Sequence, residues 1–129
     1  MNDGREVAWD LPADAEFLAK ARRMVGELLD GWALSGLIEN VTLVVTELYA
    51  NSLVHGEPPI TLILRADRRT LRGEITDRGR LRLPATPADL YDEHGRGLAI
   101  VAALVDRWGI DPGRPGTTVW FCLAHDANI

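Results

Sequence analysis

Cysteine occurs once in the 129 residues, at Cys122, so the chain can form neither an internal disulfide nor a cysteine-rich zinc site. Histidine is scarce as well: His55, His94 and His125 are too dispersed to read as a metal cluster. Excess positive charge is lacking, with 14 Lys and Arg against 19 Asp and Glu and a formal net charge of -5. That balance, with its arginines scattered, gives no electrostatic footprint for a nucleic-acid backbone, which would call for a basic stripe. No run approaches the ~18 apolar residues of a membrane span. The opening "MNDGREVAWDLP" lacks the basic region and apolar core of a signal peptide. The expectation is a soluble protein of a reducing cytoplasm, with no direct nucleic-acid or membrane contact.

What is present is enough apolar residue, 47%, to fill one sizeable core, and a length that suits a single domain over residues 1–129. Val7 to Trp9 suit a short edge strand. Pro12 and Asp14 then open a helix whose apolar positions, Phe17, Leu18, Ala21, Met24, Val25, Leu28 and Leu29, recur at helical spacing. Ser35 is a cap for a second helix carrying Leu37, Val41, Val44, Leu48 and Ser52 on one face, and Gly56 ends it before Pro58 and Pro59. Ile60 to Leu64 and Leu71 to Thr76 flank the polar turn "RADRRT" and predict an antiparallel hairpin. Arg78 to Arg96 shows no sustained period and reads as a loop long enough to cover a ligand, with one helical turn around Ala88 to Tyr91. "GLAIVAALVDRW" predicts a third helix, and "DRWGID" and "GTTVWFCL" two last strands around the turn "PGRPG".

Three places carry residues suited to chemistry. Glu47, Asn51 and His55 recur every four residues, so at ~100° per residue they line one flank of the second helix beside its apolar face. On spacing alone this is a solvated flank with a Glu47 to Asn51 contact. The same residues also offer a hard amide oxygen for magnesium and a carboxylate to accept a proton. Asp77 shares strand parity with Leu71, Gly73 and Ile75, which points it toward the core side. There it is either a turn aspartate bonding its own backbone in "TDRG" or an acceptor for a ligand amine such as adenine's, with Gly79 allowing close approach of a flat base. "HGRGLAIV" sets Gly95 and Gly97 just before an apolar helix, a common phosphate-binding arrangement and equally a common glycine-rich turn. A Walker loop, a dinucleotide fingerprint and the Gly-x-Ser-x-Gly elbow are all missing, and the last excludes Ser52 as a hydrolase nucleophile. In "GTTVWF" two adjacent threonines are ordinary strand residues.

In this order, "ELYANSLVHG", "DRG", "GRGL" and "GTTVWF" resemble the N box and the glycine-associated boxes of the Bergerat-fold (GHKL) ATPase and kinase superfamily. The paired helices from "AEFLAKARRM" to "ELYANSLVHG" resemble its bacterial anti-sigma factor serine/threonine kinase branch, and the likeness covers nearly the whole chain. The resemblance implies a two-layer α/β sandwich with a mixed, mainly antiparallel sheet and helices on one face. It implies ATP and Mg2+, with Asn51 as the magnesium ligand and Asp77 as the adenine acceptor. Gly79 becomes the close-approach glycine, Gly95 and Gly97 with Leu98 the phosphate turn, and Thr117 a support for the adenine pocket through water. Arg96 would touch phosphate, Glu47 would activate the incoming hydroxyl, and His55 would take a supporting role. It further implies an anti-anti-sigma (STAS-type) protein and a sigma factor as partners, and a possible homodimer. The sequence departs from the kinase pattern Asp-x-Gly-x-Gly at Leu81, and Pro84 and Pro87 stiffen the same loop. A lost glycine hinders rearrangement of a lid more than ground-state binding, so a binding module without transfer activity is the alternative. An ATPase motor subunit or histidine-kinase fragment ranks last, because the chain has no room for a transducer or a phosphoacceptor helix pair.

Overall fold

The computed structural model describes residues 4–79, 96–112 and 116–125, with only the backbone at 96 and 97. Five strands, β1 (Arg5–Leu11), β2 (Ile60–Ala66), β3 (Thr70–Asp77), β4 (Arg107–Pro112) and β5 (Thr117–Ala124), form one sheet in the order β1-β2-β3-β5-β4. All four ladders are antiparallel among the described residues, so the parallel pairing of a mixed sheet is not seen there. Three helices, α1 (Leu18–Gly31), α2 (Ile38–His55) and α3 (Arg96–Leu104), make the second layer.

Alternation along the strands decides which side the helices cover. Ile60, Leu62, Leu64 and Ala66 on β2, Leu71 and Ile75 on β3, and Phe121 and Leu123 on β5 are buried, and the register places them on one face. The opposite face carries the ion pairs of Arg65 with Glu6 and Glu74, and the Arg72 guanidinium stacked 4.6 Å from the Trp120 ring centroid. Gly73 is required by the core: a Cβ there would overlap the Phe121 ring, whose side chain is fully buried. The two-layer sandwich with helices on one face is thus observed.

Local readings hold with small shifts. Asp14 accepts the Glu16 N–H at 3.0 Å and caps a 3-10 turn, Ala15–Phe17, that runs into α1. Ser35 begins a second 3-10 turn, Ser35–Leu37, but gives no side-chain cap to α2, whose N-cap is Leu37. In the β2–β3 turn the Asp67 carboxylate accepts the Arg69 and Thr70 N–H groups, each at 2.8 Å. α2 is the central helix, packed against α1, α3 and β3. It buries Val41, Thr42, Val44, Val45, Leu48, Tyr49 and Ser52, more than the single stripe that its apolar spacing predicts, because it has neighbours on both sides as well as beneath. The third helix stops at Leu104, short of the predicted end at Trp108, because Arg107 already pairs with Cys122 in the sheet.

Candidate functional site

A cleft opens where the C-terminal half of α2 meets the ends of β3 and β5 and the start of α3. Leu48, Asn51, Ser52, His55 and Gly56 line one wall, and Asp77, Leu98, Thr117 and Val119 the other. The apolar base comes from side chains that the helix and strand periods already turn inward, and the polar groups sit at the rim of that face.

Helical spacing accounts for the first wall: Asn51 and Ser52 each lie three or four residues from both Leu48 and His55, so the four share a face. Glu47 is half-buried one turn before Asn51 and lies outside the lining. Register accounts for the second wall. Asp77 is paired with Thr117 across the β3–β5 ladder, so both point to the helix side at the same end of the sheet.

The Asp77 carboxylate is held from two directions. Ser52 donates its hydroxyl to Oδ2 at 2.7 Å, and the Gly79 N–H donates to Oδ1 at 2.7 Å. The turn reading of Asp77 therefore holds, since the carboxylate closes a turn on its own backbone, and the same carboxylate lines the cleft. Thr117 fixes the same turn, its Oγ1 donating to the Gly79 carbonyl at 3.0 Å, while the Arg78 N–H reaches the Glu57 carbonyl at 2.8 Å.

Three glycines close around this turn. A Cβ on Gly56 would fall on the Asp77 carboxylate, 2.7 Å from Oδ1; one on Gly79 would lie 2.6 Å from the Gly56 Cα; one on Gly116 would lie 2.6 Å from the Arg78 Cα. The close approach at Gly79 is thus to the backbone of Gly56. Of the other expected site residues, Leu98 is buried in the first turn of α3. Arg96 and Gly97 are described as backbone of the same turn, and Gly95 lies outside the described residues, as do Leu81, Pro84, Pro87 and the predicted turn at Ala88 to Tyr91.

Ser52, Gly56 and Gly116 were not foreseen as site residues. Ser52 counts in the sequence only as a member of the apolar face, although a hydroxyl next to Asn51 on a buried stripe is a signal of a polar partner across the cleft. Among the described residues no three His, Cys, Asp or Glu side chains gather as a metal site. A magnesium ion here would find a hard oxygen donor in the Asn51 carboxamide, which lines the cleft.

A cleft at the edge of an α/β sandwich that joins a carboxamide, an anchored carboxylate and an apolar base has the make-up of a small-molecule site. The sequence pattern of the histidine kinase-like ATPase domain matches residues 11–123, and the chain belongs to that family, whose ATPase domain implies ATP binding. The solved structure of the RsbU and RsbW domains of Rv1364c from Mycobacterium tuberculosis superposes with a TM-score of 0.70 at 21% identity. The match covers 92% of this chain and 32% of that one, and the likeness is one of fold. No curated protein sequence matches the chain. Among the described residues no helix is long and apolar enough to cross a membrane.

Proposed function

We propose that this chain is a cytoplasmic ATP-dependent serine/threonine protein kinase domain of the anti-sigma factor branch. It phosphorylates an anti-anti-sigma partner and binds a sigma factor when that partner is absent, in this way regulating transcription. The observation that carries the reading is the convergence of Asn51, Asp77, Leu98 and Thr117, from four separate elements, on one cleft with Glu47 a helical turn away. In this assignment Asp77 accepts the 6-amino group of adenine, Thr117 supports the base, and the α3 start with Gly95, Arg96 and Gly97 takes the phosphates. Asn51 would hold magnesium, which when bound would neutralise charge on the phosphate oxygens.

Phosphoryl transfer needs little covalent help from the protein; positioning and charge do most of the work. The partner's hydroxyl oxygen bonds to the γ-phosphorus as the bond from that phosphorus to the β–γ bridging oxygen breaks. The hydroxyl proton passes to the Glu47 carboxylate, and ADP leaves. Glu47 suits this role because it is only half-buried and stands on the same helix as Asn51, so a hydroxyl can reach it from solvent.

The test has two stages. Calorimetry with Mg-ATP should show binding that falls sharply in Asp77→Asn and in Asn51→Ala; unchanged heats in both would remove the assignment. Pull-down from the native cytosol with and without Mg-ATP should then recover a sigma factor or its antagonist. Labelled ATP should give a phosphorylated partner that disappears in Glu47→Ala. Leu81, standing where the kinase pattern has glycine, favours a second reading, a partner-switching module that binds ATP without transfer. Tight ATP binding with no phosphopartner would select it.

A further inference from the structure

Beyond the residues that the nucleotide assignment uses, one buried hydroxyl in the cleft has a definite partner. Ser52 is 6% exposed and donates to Asp77 Oδ2 at 2.7 Å, a contact between residues 25 apart in sequence. We infer that Ser52 is a specificity-determining positioning residue, which fixes the Asp77 carboxylate in the orientation that accepts the 6-amino group of the purine. The inference rests on the proposed binding of adenine at Asp77.

The argument starts from the freedom of an aspartate. Rotation about its last side-chain bond is broad and two-fold, so an unanchored carboxylate plane swings over a wide arc. An ionised carboxylate offers about four acceptor positions on its two oxygens. Here the Gly79 N–H takes one position on Oδ1 and the Ser52 hydroxyl one on Oδ2. Two anchors on two oxygens define the plane, and the positions left over are those available to a ligand. The Gly79 anchor belongs to the Asp77 turn itself and moves with β3. The Ser52 anchor comes from α2 and refers the carboxylate to the helix that carries Asn51, so one hydroxyl sets the spacing between the base end and the phosphate end of the ligand. Burial of Ser52 removes the water that would otherwise compete for the bond.

The experiment compares two probes by calorimetry in the presence of magnesium: ATP, and purine riboside triphosphate, which lacks the 6-amino group. The quantity read is the ratio of their dissociation constants within each variant. It is insensitive to any loss of folded protein, because both probes see the same folded fraction. The wild type should prefer ATP, and Ser52→Ala should reduce that preference about tenfold, the scale of one hydrogen bond to a charged group, with affinity for the amine-free probe nearly unchanged. Ser52→Thr, which keeps the hydroxyl, should retain the wild-type ratio. In the Asp77→Asn background Ser52→Ala should have no further effect on the ratio. If Asp77→Asn abolishes the preference while Ser52→Ala leaves it intact or weakens both probes equally, Ser52 is only a tie between helix and strand and the inference is overturned. If the wild type shows no preference between the probes, it is the adenine assignment at Asp77 that has failed.

Discussion

Replacing Gly56 by alanine isolates the packing of α2 against the Asp77 turn. Gly56 has φ -97°, a backbone conformation that alanine adopts without strain, so the perturbation is purely steric. The new Cβ would sit 2.5 Å from the Asp77 Cγ, far inside van der Waals contact. Relief requires either movement of the α2 end away from β3 or rotation of a carboxylate that Ser52 and Gly79 both hold. Overpacking of this kind costs about 1–3 kcal/mol, while Gly→Ala regains about 0.4–1 kcal/mol through the unfolded chain. Gly36→Ala is the control, because a Cβ there meets nothing within 4 Å and no described glycine has positive φ. The unfolded-chain contribution cancels between the two variants. Urea denaturation should therefore place Gly56→Ala about 1–3 kcal/mol below Gly36→Ala if the backbone yields. If the carboxylate yields instead, stabilities converge and ATP affinity falls by at least about tenfold, since a charged hydrogen bond is lost. A Gly56→Ala protein matching Gly36→Ala in both stability and ATP affinity would refute the steric reasoning.

Three further outcomes follow from the core and the turns. Phe121→Ala should lower stability by about 3–5 kcal/mol, because the ring is fully buried against Gly73 and a cavity replaces it; chemical denaturation with an unchanged m-value checks this. Tyr49 donates its hydroxyl to the Pro12 carbonyl, and Tyr49→Phe should cost about 0.5–1.5 kcal/mol at neutral pH. Burial first, and then the nearby Asp14 charge, push the Tyr49 phenol up from its ordinary value. Its contribution is thus complete below about pH 10 and lost as pH rises through the raised folded value, so the wild type should lose its margin over Tyr49→Phe in alkali. The Arg69 and then the Thr70 N–H groups hold the Asp67 carboxyl below its usual range, so its contribution is present above about pH 4 and lost as pH falls through the lowered folded value. Asp67→Asn should flatten the acid limb of a stability profile followed by circular dichroism, and an unchanged acid limb would contradict the turn assignment.

Side-chain direction along a regular element is local geometry, and this much the chain carries in its order of residues. Strand parity alone turned Asp77 toward the helix side, and a four-residue recurrence put Asn51 and His55 on one flank of α2. Local turn chemistry was legible in part, in Asp14 at the start of the helical layer and in the polar run between β2 and β3, whereas the role of Asp67 within that run came from the structure. The order of the four boxes went further and indicated the family, since the proposed nucleotide site draws on the ends of successive elements. What no local pattern contains is which ends come to lie together. Ser52 finds Asp77 across 25 residues, and Gly56, Gly79 and Gly116 are required because each faces backbone or side chain from another segment. A hydrogen bond or a steric limit is a property of two partners in space, and those partners are chosen by the burial of the whole apolar face rather than by the residues beside them in the chain.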